Sequence, residues 1–208
     1  MDESGVNIDS LERSGADVVH ISPSHHFPTG TVTPASRRYE LLGWAAKQEG
    51  RYIIEDEYDS EFRLVGNPIP ALQSIDASDK VIYMNTFSKS LSSTIRISYM
   101  VLPIPLMVRY NHVLSFYACT VSNFDQYTLT RFIQEGYLEK HINRMRKFYR
   151  NSRDRILGCI RSHRLYPQVT IKEENAGLHF LMEIDTSYTD KEMVDRAAAA
   201  GINISSLS

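Results

Sequence analysis

The spacing of apolar residues changes along this chain, and the change divides it. "ADVVHISP" (16–23) is a short β-branched run closed by Pro23 and reads as a strand. In "TVTPASRRYELLGWAAKQEG" the period lengthens, and Leu41, Leu42 and Ala45 form the apolar stripe of a helix. Thr33 is the expected N-cap, Pro34 suits the first helical position and Gly50 is the expected stop. "RYIIEDEYD" is a strand that turns acidic at its C-terminal end, and "KVIYMNTF" and "ISYMVLP" are two more. Their near-continuous apolar character predicts a mostly parallel sheet covered by helices on both faces, hence an α/β domain. From 123 to 164 helical spacing takes over, with Leu138, Ile142, Met145, Tyr149, Ile156 and Ile160 in one stripe.

The last segment reads as a smaller unit. "GLHFLMEI" (177–184) is a strand, Thr189 and Glu192 stand at capping-box spacing before a helix closed by Gly201, and "INISS" opens a further strand. The pattern therefore predicts part of a large α/β domain over 1–122, connecting amphipathic helices over 123–164, and the start of a small C-terminal α/β subdomain over 165–208. Four strands are few for a covered parallel sheet, and both ends are abrupt. A piece truncated at both ends is the expectation.

Composition narrows the partners. The formal net charge of −2 leaves no overall basic field that would point to nucleic acid. The helical region alone is basic, with ten Lys/Arg between Arg131 and Arg164 against three acidic residues. Such residues usually form a solvated face, and a DNA-contacting helix is the lesser reading. Cys119 and Cys159 form no CxxC pair, which fits a reduced intracellular protein. No apolar run reaches the roughly 18 residues that span a bilayer. The start "MDESGVNIDS" lacks signal-peptide character, so a cytoplasmic location without membrane contact is expected.

The candidate chemistry lies in "VIYMNTFSKSLSSTIRISYMVLP" (81–103). Lys89 sits there among Thr86, Ser88, Ser90 and Ser92, with Arg96 seven residues on. A surface turn lysine is the plain reading. A Schiff-base lysine beside a phosphate site is the sharper one, because hydroxyls, backbone amides and a guanidinium fork are what a phosphate needs. In "IIEDEYDSEF", Asp56 ends an apolar strand, where α/β proteins bind ligands. A carboxylate there would keep a cofactor's ring nitrogen protonated, and Tyr58 lies on the same face by the two-residue period. Read alone, the acidic run is first of all a solvated loop, with a magnesium site as the lesser alternative.

Several stretches in order, "SPSHHFPTG", "RRYELLGWA", "YIIEDEYDSEFR", "PIPALQSID" and "FSKSLSSTIRISYMVLP", carry a family likeness. "TFSKSLSSTIR" resembles the cofactor-lysine segment of fold-type I pyridoxal-phosphate enzymes, and the 33-residue separation of Asp56 and Lys89 suits that superfamily. Together the stretches resemble the aminotransferase-like domain of MocR-type regulators, bacterial transcription factors of the GntR superfamily. The resemblance implies pyridoxal 5'-phosphate held covalently by Lys89. Asp56 would stand at the pyridine nitrogen, Tyr58 at the phenolic oxygen, and Thr86, Ser88 and Arg96 at the phosphate. It also implies sensing of a small amino compound, a homodimer for the intact protein, and DNA contact only through a missing N-terminal winged-helix domain. A genuine class I/II aminotransferase is the alternative, so turnover stays open.

The pattern departs from the family in places. Phe27 replaces the asparagine of the usual Asn-Pro-Thr-Gly, as in MocR-type domains. Asn85 and Ser93 stand where that family commonly has glycine and proline. The glycine-containing phosphate loop and the ring-stacking aromatic of the family would lie ahead of this chain. The arginine for a substrate carboxylate would lie near or beyond Ser208. His25 and His26 read as pocket lining or packing rather than metal ligands, and His179 as structural rather than catalytic.

Overall fold

In the computed structural model, which describes residues 1–67 and 69–207, four strands line up in sequence order: β1 (Val18–Ile21), β2 (Tyr52–Asp56), β3 (Val81–Thr86) and β4 (Ser98–Val101). Pro68 of "PIPALQSID" and the terminal Ser208 lie outside the described residues. β1 pairs parallel with β2, with Ile21 opposite Glu55, and β2 pairs parallel with β3, with Asp56 opposite Met84. β4 runs antiparallel to β3, with Ser98 opposite Thr86. The α/β expectation holds, with a sheet that is mixed at one edge.

Helices α1 (Ile8–Ser14), α2 (Ala35–Ala46) and α3 (Leu72–Ile75) accompany the first three strands. Asn7 caps α1 by accepting from Ser10 N (2.9 Å), and Gly15 closes it at φ +66°, a left-handed conformation that favours glycine. Leu11, Ile21, Leu41, Trp44, Ala45, Ile53, Leu72 and Val81 form the core between these helices and the sheet. The second face is left half-covered among the described residues: Val18 and Met100 are exposed, and all four residues of β4 are open. The near-continuous apolar strands predicted cover on both sides, and the described helices supply it on one.

The boundaries of α2 differ from expectation for identifiable reasons. Thr33 does not cap it; its hydroxyl is buried against His26 Nε2 (2.9 Å), and Pro34 takes the N-cap position. The helix also ends before Gly50, at Ala46. There Arg51 folds back, donates to Trp44 O (3.2 Å) and stacks on the Trp44 ring, so a side chain closes the helix.

Beyond β4 come α5 (Ile104–Leu114), which the apolar spacing did not single out, then α6 (Asn123–Gln134) and α7 (Tyr137–Ser162). Several basic residues of α7 have intramolecular partners. Arg146 donates to Glu61 O (2.8 Å), Arg153 to Glu174 O (2.9 Å), and Arg161 pairs with the Glu174 carboxylate (2.7 Å). Part of the basic face thus ties α7 to neighbouring loops. No described helix is long and apolar enough to cross a membrane.

The C-terminal segment pairs β5 (Val169–Lys172) antiparallel with β6 (Leu181–Ile184), followed by α8 (Asp190–Ala199). The Thr189–Glu192 capping box of α8 is present in full. Two strand expectations shrink. "GLHFLMEI" is extended only from Leu181, because 175–178 docks by backbone bonds onto the loop after β2: Leu64 N donates to Asn175 O (3.1 Å) and Gly177 N to Phe62 O (3.2 Å). "INISS" forms no strand among the described residues. β5 was not foreseen.

Candidate active site

Because β2 alternates, its even and odd residues serve opposite faces. Asp56 and, two residues past the strand end, Tyr58 turn to the half-covered face; Glu55 and Glu57 turn to the helices. On the open side lies a cavity of about 670 Å³ whose lining includes Lys89, Asp56, Tyr58, His20, His26 and Phe27. Three residues singled out in the sequence, Asp56, Tyr58 and Lys89, therefore converge on one space.

Lys89 sits on a one-turn helix, α4 (Phe87–Ser90), rather than in an open turn. Thr86 caps that helix: its Oγ1 accepts from Ser88 N (3.2 Å) and donates to Ile97 O (3.2 Å) across the antiparallel pair. The short helix presents Lys89 exposed, and among the described residues its amine has no hydrogen-bond or ion-pair partner. Ser88 and Arg96 complete the same turn, with Arg96 at φ +54° and exposed. Thr86, Ser88 and Arg96 do not line the cavity that Lys89 shares with Asp56.

Asp56 is held from β1. His20 Nε2 donates to Asp56 Oδ2 (3.3 Å), a contact set by the parallel register that puts His20 opposite Ile54. Tyr58 donates its hydroxyl to His25 O (2.9 Å), and burial, then the carboxylates of Asp59, Asp56 and Glu57, push its phenol pKa up. It is therefore a protonated hydrogen-bonding group at neutral pH. His26 is pushed down to about 4 by burial and the nearby Arg38 charge, so it lines the cavity as a neutral ring.

Behind Tyr58 stands a cluster that sequence reasoning did not assemble. His25 Nδ1 donates to Asp59 Oδ2 (2.8 Å), with both side chains buried. The His179 ring tilts against the His25 ring at 4.0 Å between centroids. Leu178 N also donates to Asp59 Oδ2 (3.2 Å), and Gly177 at φ +68° lies so close that a Cβ there would fall 1.8 Å from His25 Nδ1. Only glycine fits that approach. The partners lie 34 and 119 residues apart, and no local spacing reveals them.

The acidic run is no solvated loop, since Glu55, Glu57 and Asp59 are buried. Glu55, fully buried, accepts from Leu72 N (2.7 Å) and Gln73 N (2.9 Å) and faces Arg38 at 3.6 Å. Glu57 accepts from Ser24 Oγ (2.7 Å), and burial together with the neighbouring Glu55 charge pushes it up to about 8.

The site's relatives are of two kinds. The chain is 43% identical, over 98% of its length, to the HTH-type transcriptional regulator YdeL of Bacillus subtilis, whose function is uncharacterised. It is 32% identical over its full length to the probable rhizopine catabolism regulatory protein MocR of Rhizobium meliloti. It spans 44% and 42% of those proteins, so it corresponds to under half of each. Among solved structures, kynurenine aminotransferase of Pyrococcus horikoshii superposes with a TM-score of 0.79 at 28% identity, over 98% of this chain and 52% of that one. Residues 5–208 match the family described as aminotransferase class I and II, and this chain belongs to that family.

Proposed function

We propose that this chain is the cofactor- and effector-binding part of a MocR-type transcription regulator, with pyridoxal phosphate as cofactor and a small amino compound as effector. The observation that carries the reading is the convergence of Lys89, Asp56 and Tyr58 on one cavity. The regulator names of YdeL and MocR support the role. The residues present fit the cofactor: an amine without a competing partner, a carboxylate at a strand end, and a phenolic hydroxyl face one space.

When bound, pyridoxal phosphate supplies an aldehyde and an electron-withdrawing ring. In this reading Lys89 Nζ would be the amine that holds the cofactor's aldehyde end. Asp56 Oδ holds a proton at the ring nitrogen, and His20 fixes the carboxylate that does so. Tyr58 Oη orients the phenolic edge from the His25 side. Ser88 and Arg96 would hold the phosphate, and Thr86 keeps their turn in shape by capping α4. The intact protein is a cytoplasmic homodimer that touches DNA only through a separate winged-helix domain. Effector binding changes how that domain is held.

A second reading has one observation behind it. The likeness to kynurenine aminotransferase favours full amino-group transfer, in which Lys89 also moves the substrate proton.

The test is the visible absorption of the full-length gene product with pyridoxal phosphate, compared with Lys89→Ala. A band that requires Lys89 and shifts with an amino compound is expected. Absence of any Lys89-dependent band overturns the cofactor reading. Turnover of an amino donor with a 2-oxo acid would favour the aminotransferase.

A further inference from the structure

We propose that His25, Asp59 and His179 form a binding site for one divalent transition-metal ion, zinc by the chemistry of its donors. Each of the three side chains offers a ligand atom, and these atoms lie within 4.8 Å of one another. His25 and Asp59 are buried and His179 is half-buried. Two imidazoles and a carboxylate are the donor set zinc accepts, at about 2.0–2.2 Å, while leaving a fourth position open.

The second observation is unmet hydrogen-bonding capacity. His25 is 1% exposed, yet its Nε2 has no hydrogen-bond partner, and neither has the buried His179 Nε2. Buried polar atoms are nearly always satisfied, so two orphaned imidazole nitrogens on rings tilted against each other call for an occupant. Asp59 now holds His25 through Nδ1, so as a ligand it would exchange that bond for one to the ion. Around a tetrahedral ion the donors would stand about 3.4 Å apart. Binding would draw the three donors together from within 4.8 Å of one another.

The site joins distant parts of the chain. His25 follows β1, Asp59 follows β2, and His179 precedes β6 on the docked segment that Gly177 lets approach. Asp59 and His179 also line the cavity with Lys89, so the ion's open position would face it. The proposal needs no pyridoxal phosphate and stands or falls separately from the cofactor reading.

The experiment uses this chain with Cys119→Ser and Cys159→Ser as background, stripped with a chelator and titrated with Zn²⁺ by calorimetry and with Co²⁺ by visible absorption, without pyridoxal phosphate. One ion per chain is expected, with affinity falling at least about tenfold in His179→Ala and likewise in Asp59→Asn. His179 lies on a half-buried loop, and circular dichroism checks that the variant stays folded. The exposed His112→Ala should bind the metal as the background does. No saturable binding by the folded chain, or equal affinity in His179→Ala and Asp59→Asn, overturns the site.

Discussion

The two faces of β2 show how one five-residue strand serves opposite purposes. Its odd side is closed: Ile53 and Glu55 are fully buried, and Arg38 satisfies the carboxylate side while donating to Thr33 O (3.1 Å), Pro70 O (2.9 Å) and Ser24 Oγ (3.2 Å). The even side is open: Asp56 keeps one partner, His20, and faces a cavity. Charge is present on both sides, but on the closed side the Glu55 carboxylate and the Arg38 guanidinium are held by several partners. Stability should therefore reside behind the strand and binding in front of it.

Removing the guanidinium from the closed side gives the largest expected effect. Arg38→Met strands Glu55 as a buried charge and frees two backbone carbonyls. Denaturant unfolding should show a loss of about 3–5 kcal/mol. A loss under about 1 kcal/mol would mean that the odd face is wetter than its burial indicates.

Glu57 sharpens the comparison through pH. Its folded pKa, about 8, lies above its ordinary 4.5, so folding takes up a proton at neutral pH. A raised carboxyl contributes most below its unfolded value, and stability falls as pH climbs from about 4.5 toward 8. The slope reaches at most about 1.4 kcal/mol per pH unit. Arg38 and Glu55 are the charged groups that face it. Glu57→Gln, measured in chelator, should flatten that slope, and an unchanged slope would assign it to other groups.

The even face was the more legible of the two in sequence. Asp56 at a strand end, Tyr58 two residues on and Lys89 in a hydroxyl-rich turn follow from strand period and residue type. What stayed hidden depends on tertiary pairing. His20 reaches Asp56 only through the β1–β2 register, and His25 meets Asp59 and His179 only after two loops fold over. The Thr33 cap failed because a buried histidine claimed the hydroxyl, and the Gly50 stop failed because Arg51 closed the helix first. Local signals place elements; competition for a side chain moves their ends.

A smaller effect belongs to the turn that carries the lysine. Thr86→Val removes the acceptor for Ser88 N and the donor to Ile97 O while keeping the β-branched shape. A cap of this kind contributes about 1 kcal/mol. Thermal unfolding should show a loss of that order, together with weaker cofactor retention if the turn's shape matters for Ser88 and Arg96.

The smallest expected stability change comes from Lys89→Ala, and it separates the two faces most sharply. The side chain is exposed and its amine has no partner among the described residues, so truncation leaves no buried group stranded. Surface changes of this kind fall within about 0.5 kcal/mol, and alanine also favours the short α4 helix. Unfolding of the variant should overlay that of the parent chain, while its Lys89-dependent absorption is lost completely. Arg38→Met should do the reverse at permissive temperature, unfolding early while the folded fraction keeps the band. If Lys89→Ala instead lost several kcal/mol, the amine would be holding the fold together, and the open face would be structural like the closed one.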